Sequence, residues 1–190
     1  MAQPQQTPSR LRVTLPWITG AVAVIIAAVV LVPIFSGQAP HVAGPGGIVG
    51  RVAPVFVLQD DRGAAVSLRQ YRGRVVLMNL WATWCPPCRE EMPDLQRLAA
   101  RERASGLVVV GVDQGESAQR ARDFARALDV RYPIWIDSGQ LYGRAYAALG
   151  LPTTIIVNRR GVIVRGFDGP LTYQQMQAAV GPLLTQHKAP

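Results

Sequence analysis

The run Val75-Val76-Leu77-Met78-Asn79-Leu80 constrains the fold more than any other stretch of this chain. Successive side chains of a strand point to opposite faces, so a strand without apolar–polar alternation needs cover on both sides. Such a run belongs in the middle of a layered domain. It leads directly into Trp84-Cys85-Pro86-Pro87-Cys88 and then into residues 87–103, where Met92, Leu95, Leu98 and Ala99 recur at the spacing of a buried helical face. A second continuous apolar run, Leu107–Val112, follows. Further along, the spacing predicts a helix over Ala118–Leu128, a strand over Pro133–Ile136, a short helix over Gln140–Leu149 and a closing helix over Tyr173–Leu184. Two hairpins are expected: Val55–Leu58 with Val66–Leu68 around Asp60–Gly63, and Thr153–Val157 with Val162–Phe167 around Asn158–Gly161. Strands alternating with helices, then a late hairpin and helix, predict an α/β domain with a mixed central sheet.

The N-terminal part has a different character. Residues 1–9 are rich in Gln and Pro and too polar to bury surface. Arg10 and Arg12 then precede a charge-free stretch of 20 residues, Pro16–Phe35. A helix of that length covers about 30 Å, the hydrocarbon thickness of a bilayer. The apolar core of a cleaved secretory signal runs about 7–15 residues. The greater length here favours a retained transmembrane helix, although Gly37-Gln38-Ala39 supplies small residues where a signal would be cut. Either way the remainder crosses the membrane. Positive charge before the stretch, and none again until Arg51, places the N-terminus in the cytoplasm. The expected organisation is a cytoplasmic tail (1–15), an anchor or uncleaved signal (16–35), a flexible linker (36–47) and one domain (48–190). The Gly/Pro linker spans roughly 20 Å as a flexible coil, which keeps the domain close to the membrane surface.

The formal charge is +8, yet the 19 arginines are scattered, with no basic block. That excludes nucleic-acid binding as the reading of the charge. An apolar share of 49% excludes wholesale disorder. Two cysteines cannot make a multi-bridge scaffold. With only His41 and His187 beside them, they also fall short of a four-ligand zinc site unless carboxylates help.

The chemistry therefore rests on Cys85 and Cys88. Cys85 is expected at a helix N-terminus, where unpaired N–H groups and the helix dipole favour a thiolate. Cys88, one turn on, lies on the same face and within bridging range. The pair can exchange disulfides: Cys85 attacks a partner disulfide, and Cys88 then attacks the Cys85 sulfur and releases the reduced partner. A purely structural bridge would close a very short loop and stabilise the fold by only about 2 kcal/mol. Soft-metal binding, such as copper(I) held by two thiolates, is the non-redox alternative.

The stretch Ala53-Pro54-Val55-Phe56 through Leu68, Gly73 and Val75, then Asn79-Leu80-Trp81-Ala82-Thr83-Trp84-Cys85-Pro86-Pro87-Cys88-Arg89-Glu90-Glu91-Met92-Pro93, resembles the TlpA/ResA/CcmG family. These are membrane-anchored, thioredoxin-like thiol-disulfide oxidoreductases. Gly150-Leu151-Pro152-Thr153-Thr154-Ile155-Ile156-Val157, followed by Arg160-Gly161, is the second matching motif. The resemblance spans Val52 to Leu184. It implies a thioredoxin fold in which about Glu116–Ile136 is the family's central insertion. It implies a periplasmic domain on the bacterial cytoplasmic membrane that reduces disulfides of exported proteins, such as apocytochrome c. A transmembrane thiol donor of the DsbD/CcdA type would recharge it, with no cofactor.

Site residues follow position by position. Pro152 matches the family's cis-proline facing the cysteines, and with Leu151 it is a candidate for substrate binding. Without the resemblance, a trans turn proline would be the reading. Glu91 matches a family acid. At i+3 from Cys88 it can exchange a proton with that thiol, or else it merely complements the helix dipole. Trp84 offers a flat apolar contact to an incoming chain, or plain packing. Pro93 matches a structural helix kink. Asn79 stands where thioredoxins carry a buried acid, which leaves proton transfer to Glu91 or to water. A peroxidase of the peroxiredoxin kind would need Pro and Thr seven and three residues before Cys85. Met78 and Ala82 stand there instead. The direction of exchange is expected to be reductive, because Pro86 and Pro87 withhold two N–H donors from the Cys85 thiolate. A disulfide-donating oxidant and a copper carrier are the rival readings.

Overall fold

The computed structural model describes residues 45–185. The central run forms β3 (Val75–Trp81), buried along its whole length. Its alternation serves two cores, one on each face of the sheet. Val75, Leu77 and Trp81 pack on one side against Met92, Leu95 and Leu98 of α1 (Pro86–Glu102) and Met176 and Val180 of α4 (Tyr173–Thr185). Val76, Met78 and Leu80 pack on the other side among Leu58, Leu68, Trp135, Tyr142, Tyr146 and Ile155. Each fully buried Leu or Val contributes about 1.5–3 kcal/mol relative to exposure, so β3 is the hydrophobic spine of the domain.

Seven strands form one mixed sheet in the order β2-β1-β5-β4-β3-β6-β7. The others are β1 (Leu58–Asp60), β2 (Ala65–Val66), β4 (Leu107–Gln114), β5 (Ile134–Asp137), β6 (Thr153–Val157) and β7 (Ile163–Asp168). β3 and β4 run parallel with Trp81 opposite Asp113, and β4 and β5 run parallel; the remaining pairs are antiparallel. The mixed sheet expected from the sequence is present, and with it the thioredoxin-like α/β architecture. The implied insertion appears as α2 (Ala118–Ala127) and β5, with β5 lying between β4 and β1. Ser117 caps α2 by accepting the Arg120 N–H at 3.3 Å.

Several boundaries differ from expectation. The first hairpin begins only at Leu58, because Val55–Val57 have no partner strand, and Val55 and Val57 are exposed. Its return strand, expected to reach Leu68, stops at Val66, and Leu68 opens a 3-10 turn, Leu68–Tyr71. The turn itself is held by Asp60, whose side chain accepts the Arg62 and Ala64 N–H groups at 2.9 and 2.8 Å. The short helix α3 covers only Leu141–Ala145, ending just before Ala147, which adopts a positive φ of 52°. Pro93 lies inside α1, where its ring leaves the Arg89 carbonyl without the usual N–H. The expected anchor over residues 16–35 lies outside the described residues. Among the described residues no helix is long and apolar enough to cross a membrane.

Candidate active site

β3 ends at Trp81 and the chain turns through Ala82–Trp84 into α1, so the cysteines sit at the C-terminal edge of the sheet. Cys85 is the N-cap residue of α1, with Pro86 and Pro87 in the first helical positions. Neither proline has an N–H, so the first donor the helix offers is that of Cys88. It points at the Cys85 sulfur, 3.3 Å away. The two cysteines form a disulfide with their Cα atoms 5.3 Å apart. In the disulfide Cys85 is 3% exposed and Cys88 0%, because both sulfurs sink into the core cluster of the α1 face. What distinguishes the two is the cap position more than solvent contact.

Trp84 is 63% exposed and so does not serve plain packing. Leu151 is half-buried against the core cluster that contains both cysteines. The Leu151–Pro152 peptide bond is cis and Pro152 is buried. The loop before β6 is pinned from behind. Asp168 accepts the Leu149 N–H at 3.2 Å and the Thr153 hydroxyl at 2.8 Å, and the Pro152 carbonyl accepts the Gly169 N–H at 2.9 Å. Among the described residues, the Leu151 N–H and carbonyl take no backbone partner. An extended chain lying across the site would find them free.

Glu91 departs from the picture of a dipole-complementing surface acid. It is 3% exposed, on the same stripe of α1 as Cys88, Met92 and Leu95. Burial pushes its carboxyl up from 4.5 to about 7, and the negative charge of Asp94 adds to the rise. The Leu171 backbone and the Asn79 side chain draw it partly back, yet neither carboxylate oxygen has a hydrogen-bond partner among the described residues. Asn79 donates to the Thr154 hydroxyl at 3.3 Å, and its own carbonyl oxygen is unpartnered. Tyr132 is also buried with an unpartnered hydroxyl. Burial, with a smaller push from Glu91, raises its phenol above the ordinary range. A short row of polar groups thus lies behind Cys88 inside an otherwise apolar core.

A second cluster was not legible in the sequence. Glu116 reaches 33 residues back to Thr83, accepting its N–H at 2.6 Å and its hydroxyl at 2.7 Å. Arg120 pairs with Glu116 at 2.8 Å and donates to the Thr83 hydroxyl oxygen at 2.9 Å. Asp113 accepts the Glu116 N–H at 2.9 Å. Burial works against ionising Glu116, but the Thr83 donors, Asp113 and Arg120 outweigh it, holding its carboxyl below the usual range. Burial and the neighbouring Glu116 charge push Asp113 upward. This cluster clamps the loop that presents Trp84 and Cys85. Only the parallel β3–β4 register, which sets Trp81 beside Asp113, brings it together.

A model of the AhpC/TSA family matches residues 49–165. Thiol-disulfide oxidoreductase ResA of Bacillus thuringiensis subsp. konkukian is 30% identical over 68% of this chain and 75% of its own length. ResA of Bacillus subtilis is 33% identical over 65% of this chain and 69% of its own length. Among solved structures, a DsbE-type thiol:disulfide interchange protein from Chlorobium tepidum superposes with a TM-score of 0.67. It is 27% identical and covers 72% of this chain and 97% of its own.

Proposed function

The chain belongs to the AhpC/TSA family and is a thiol-disulfide oxidoreductase of the ResA type, acting through Cys85 and Cys88, and on that footing we propose that it is a reductant of exported proteins. The observation that carries the direction is the environment of the Cys85 sulfur. At a helix N-terminus it has one backbone donor among the described residues, the Cys88 N–H, because Pro86 and Pro87 have none to give. A thiolate held by few donors makes the reduced pair less stable and lowers its reduction potential. Known pairs range from about −270 mV in thioredoxin to about −120 mV in DsbA. The reading places this pair near the thioredoxin end.

The cycle starts from the dithiol. The Cys85 thiolate attacks a substrate disulfide and forms a mixed disulfide, expelling one substrate sulfur as thiolate. Cys88 must then lose its proton, and Glu91 is the acceptor proposed for it: a carboxylate with a pKa of about 7 takes a proton near neutral pH without holding it too tightly. The Cys88 thiolate attacks the Cys85 sulfur, releasing the reduced substrate and leaving the Cys85–Cys88 disulfide. Two electrons have passed to the substrate, and a transmembrane thiol donor of the DsbD/CcdA type returns them. Trp84, Leu151 and Pro152 form the surface that receives the substrate chain, with the free Leu151 N–H and carbonyl pairing to its backbone. Apocytochrome c is the substrate class that the ResA and CcmG resemblance favours. Met78 and Ala82 offer no hydroxyl near Cys85, so the family relationship does not extend to peroxide reduction.

Anchoring through residues 16–35, with the domain on the outer side of the cytoplasmic membrane, completes the proposal. Replacing Cys88 by Ser stops the cycle at the mixed disulfide. Expressed in cells, C88S should accumulate exported cysteine-containing proteins bound to Cys85. A trap filled only with cytoplasmic proteins would overturn the assignment of site and compartment. A wild-type midpoint potential above roughly −180 mV would instead favour an oxidant.

A further inference from the structure

At the end of β3 away from the cysteines the surface changes character. A cleft there is lined by Val52, Val55, Arg69, Tyr71, Arg72 and Arg160, and no acid lines it. Two more arginines in its wall are committed to the backbone. Arg74 donates to the Arg103 and Leu107 carbonyls, and Arg159 to those of Gly73 and Ser105. They brace this end of the domain. Arg69, Arg72 and Arg160 are exposed and make no side-chain hydrogen bond or ion pair among the described residues. Beside them Val52 is 75% and Val55 39% exposed. Three free guanidinium groups around small bare apolar side chains suit a surface of phosphate headgroups over hydrocarbon.

An acidic protein would satisfy the charge equally well, but the path of the chain favours a lipid surface. The Gly50 N–H donates to the Ile163 carbonyl at 2.8 Å and the Ala53 N–H to the Gly161 carbonyl at 2.9 Å. Residues 50–53 therefore run beside the Asn158–Gly161 turn that carries Arg160, and the polypeptide enters the domain next to the cleft. The charge-free stretch Pro16–Phe35 lies only a Gly/Pro linker upstream, a reach of roughly 20 Å.

We propose that the face carrying Arg69, Arg72 and Arg160 docks onto anionic phospholipid headgroups. The reading rests on residues 16–35 being a membrane anchor. Docking sets the domain's orientation. Cys85 and Cys88 lie at the far end of β3, about 20 Å away at the rise of an extended strand, and face incoming proteins instead of the bilayer.

The test is an arginine footprint with phenylglyoxal, read by mass spectrometry on the full chain. The chain is placed in nanodiscs of phosphatidylcholine alone, and in nanodiscs of equal parts phosphatidylcholine and phosphatidylglycerol. In the mixed discs at low salt, Arg69, Arg72 and Arg160 should react on the order of fivefold more slowly, and high salt should restore them. Arg89, in the first turn of α1, should react equally in both. Equal reactivity of the trio in both discs overturns the proposal. So does protection by soluble polyglutamate without protection by phosphatidylglycerol, which would assign the face to an acidic protein. The variant R69Q/R72Q/R160Q should keep wild-type thiol-disulfide exchange while losing docking, read at Arg159 in the cleft wall, which the wild type should protect in the mixed discs and the variant should leave equally reactive in both. Failure of the chain to enter the neutral discs refutes the anchor alone. The footprint of chain bound to the mixed discs then still decides docking, supported by protection of the trio and overturned by its absence.

Discussion

Replacing Glu91 by Gln isolates the cost of an acid buried beside the cysteines. An exposed glutamate ionises near 4.5 and Glu91 near 7, so the folded chain keeps a proton that the unfolded chain has released. Such a raised carboxyl leaves stability greatest below pH 4.5, erodes it as pH rises toward 7, and costs a constant amount above. The gap of about 2.5 pH units, at 1.36 kcal/mol each, sets a ceiling of about 3 kcal/mol. By pH 5 the wild type has lost roughly 0.8 kcal/mol of it, and by pH 8 nearly all. The expected step between pH 5 and pH 8 is therefore about 2.5 kcal/mol. Gln has the same shape and no charge. Any fixed cost of burying its carboxamide is the same at both pH values and drops out of the comparison. The buried Asp113 is present in both proteins and drops out too. The assay is thermal unfolding of oxidised wild-type and E91Q chains at the two pH values. Relative to wild type, E91Q should gain roughly 5–10 °C on going from pH 5 to pH 8. A wild-type-to-variant difference that is the same at both pH values would refute the argument that Glu91 is held protonated by burial.

Two further outcomes test the frame around the disulfide. Pro87→Ala returns one N–H to the first turn of α1 and should raise the midpoint potential by on the order of 30 mV, about 1.4 kcal/mol of thiolate stabilisation. An unchanged or lower value in glutathione or dithiothreitol buffers would remove the donor argument. Leu98→Ala, at a fully buried position on α1, should cost about 2–5 kcal/mol in denaturant unfolding while leaving the midpoint potential within error. A change in potential would mean that the core beneath α1 tunes the sulfur chemistry.

Much of this protein is written locally along the chain. The run at 75–80 demanded a strand covered on both faces, and the alternation of Val76, Met78 and Leu80 against Val75, Leu77 and Trp81 does feed two separate cores. The helix after Cys85, the second buried strand and the late hairpin also followed from periods of 3.6 and 2, which depend on a few neighbouring residues. The redox pair was legible for the same reason. Its chemistry comes from two cysteines at helical spacing and two prolines between them, all within one turn.

What the tertiary structure decided is what depends on distant partners. Val55–Val57 have strand-like residues but no strand beside them, and the strand expected over Val66–Leu68 stops at Val66, with Leu68 already in a 3-10 turn. Residue type alone left Glu91 between a surface acid and a proton carrier. Its burial follows from how α1 packs over β3 and β4, and that burial moves its pKa toward neutrality. The Thr83–Glu116–Arg120 clamp, with Asp113 beneath it, joins Thr83 to residues more than 30 positions away. No local pattern announces such a cluster, because hydrogen bonds between side chains depend on strand register, and register is set only when the sheet assembles. The three free arginines show the same division. In the sequence they are scattered single charges, and only the folded chain gathers Arg69, Arg72 and Arg160 around one cleft.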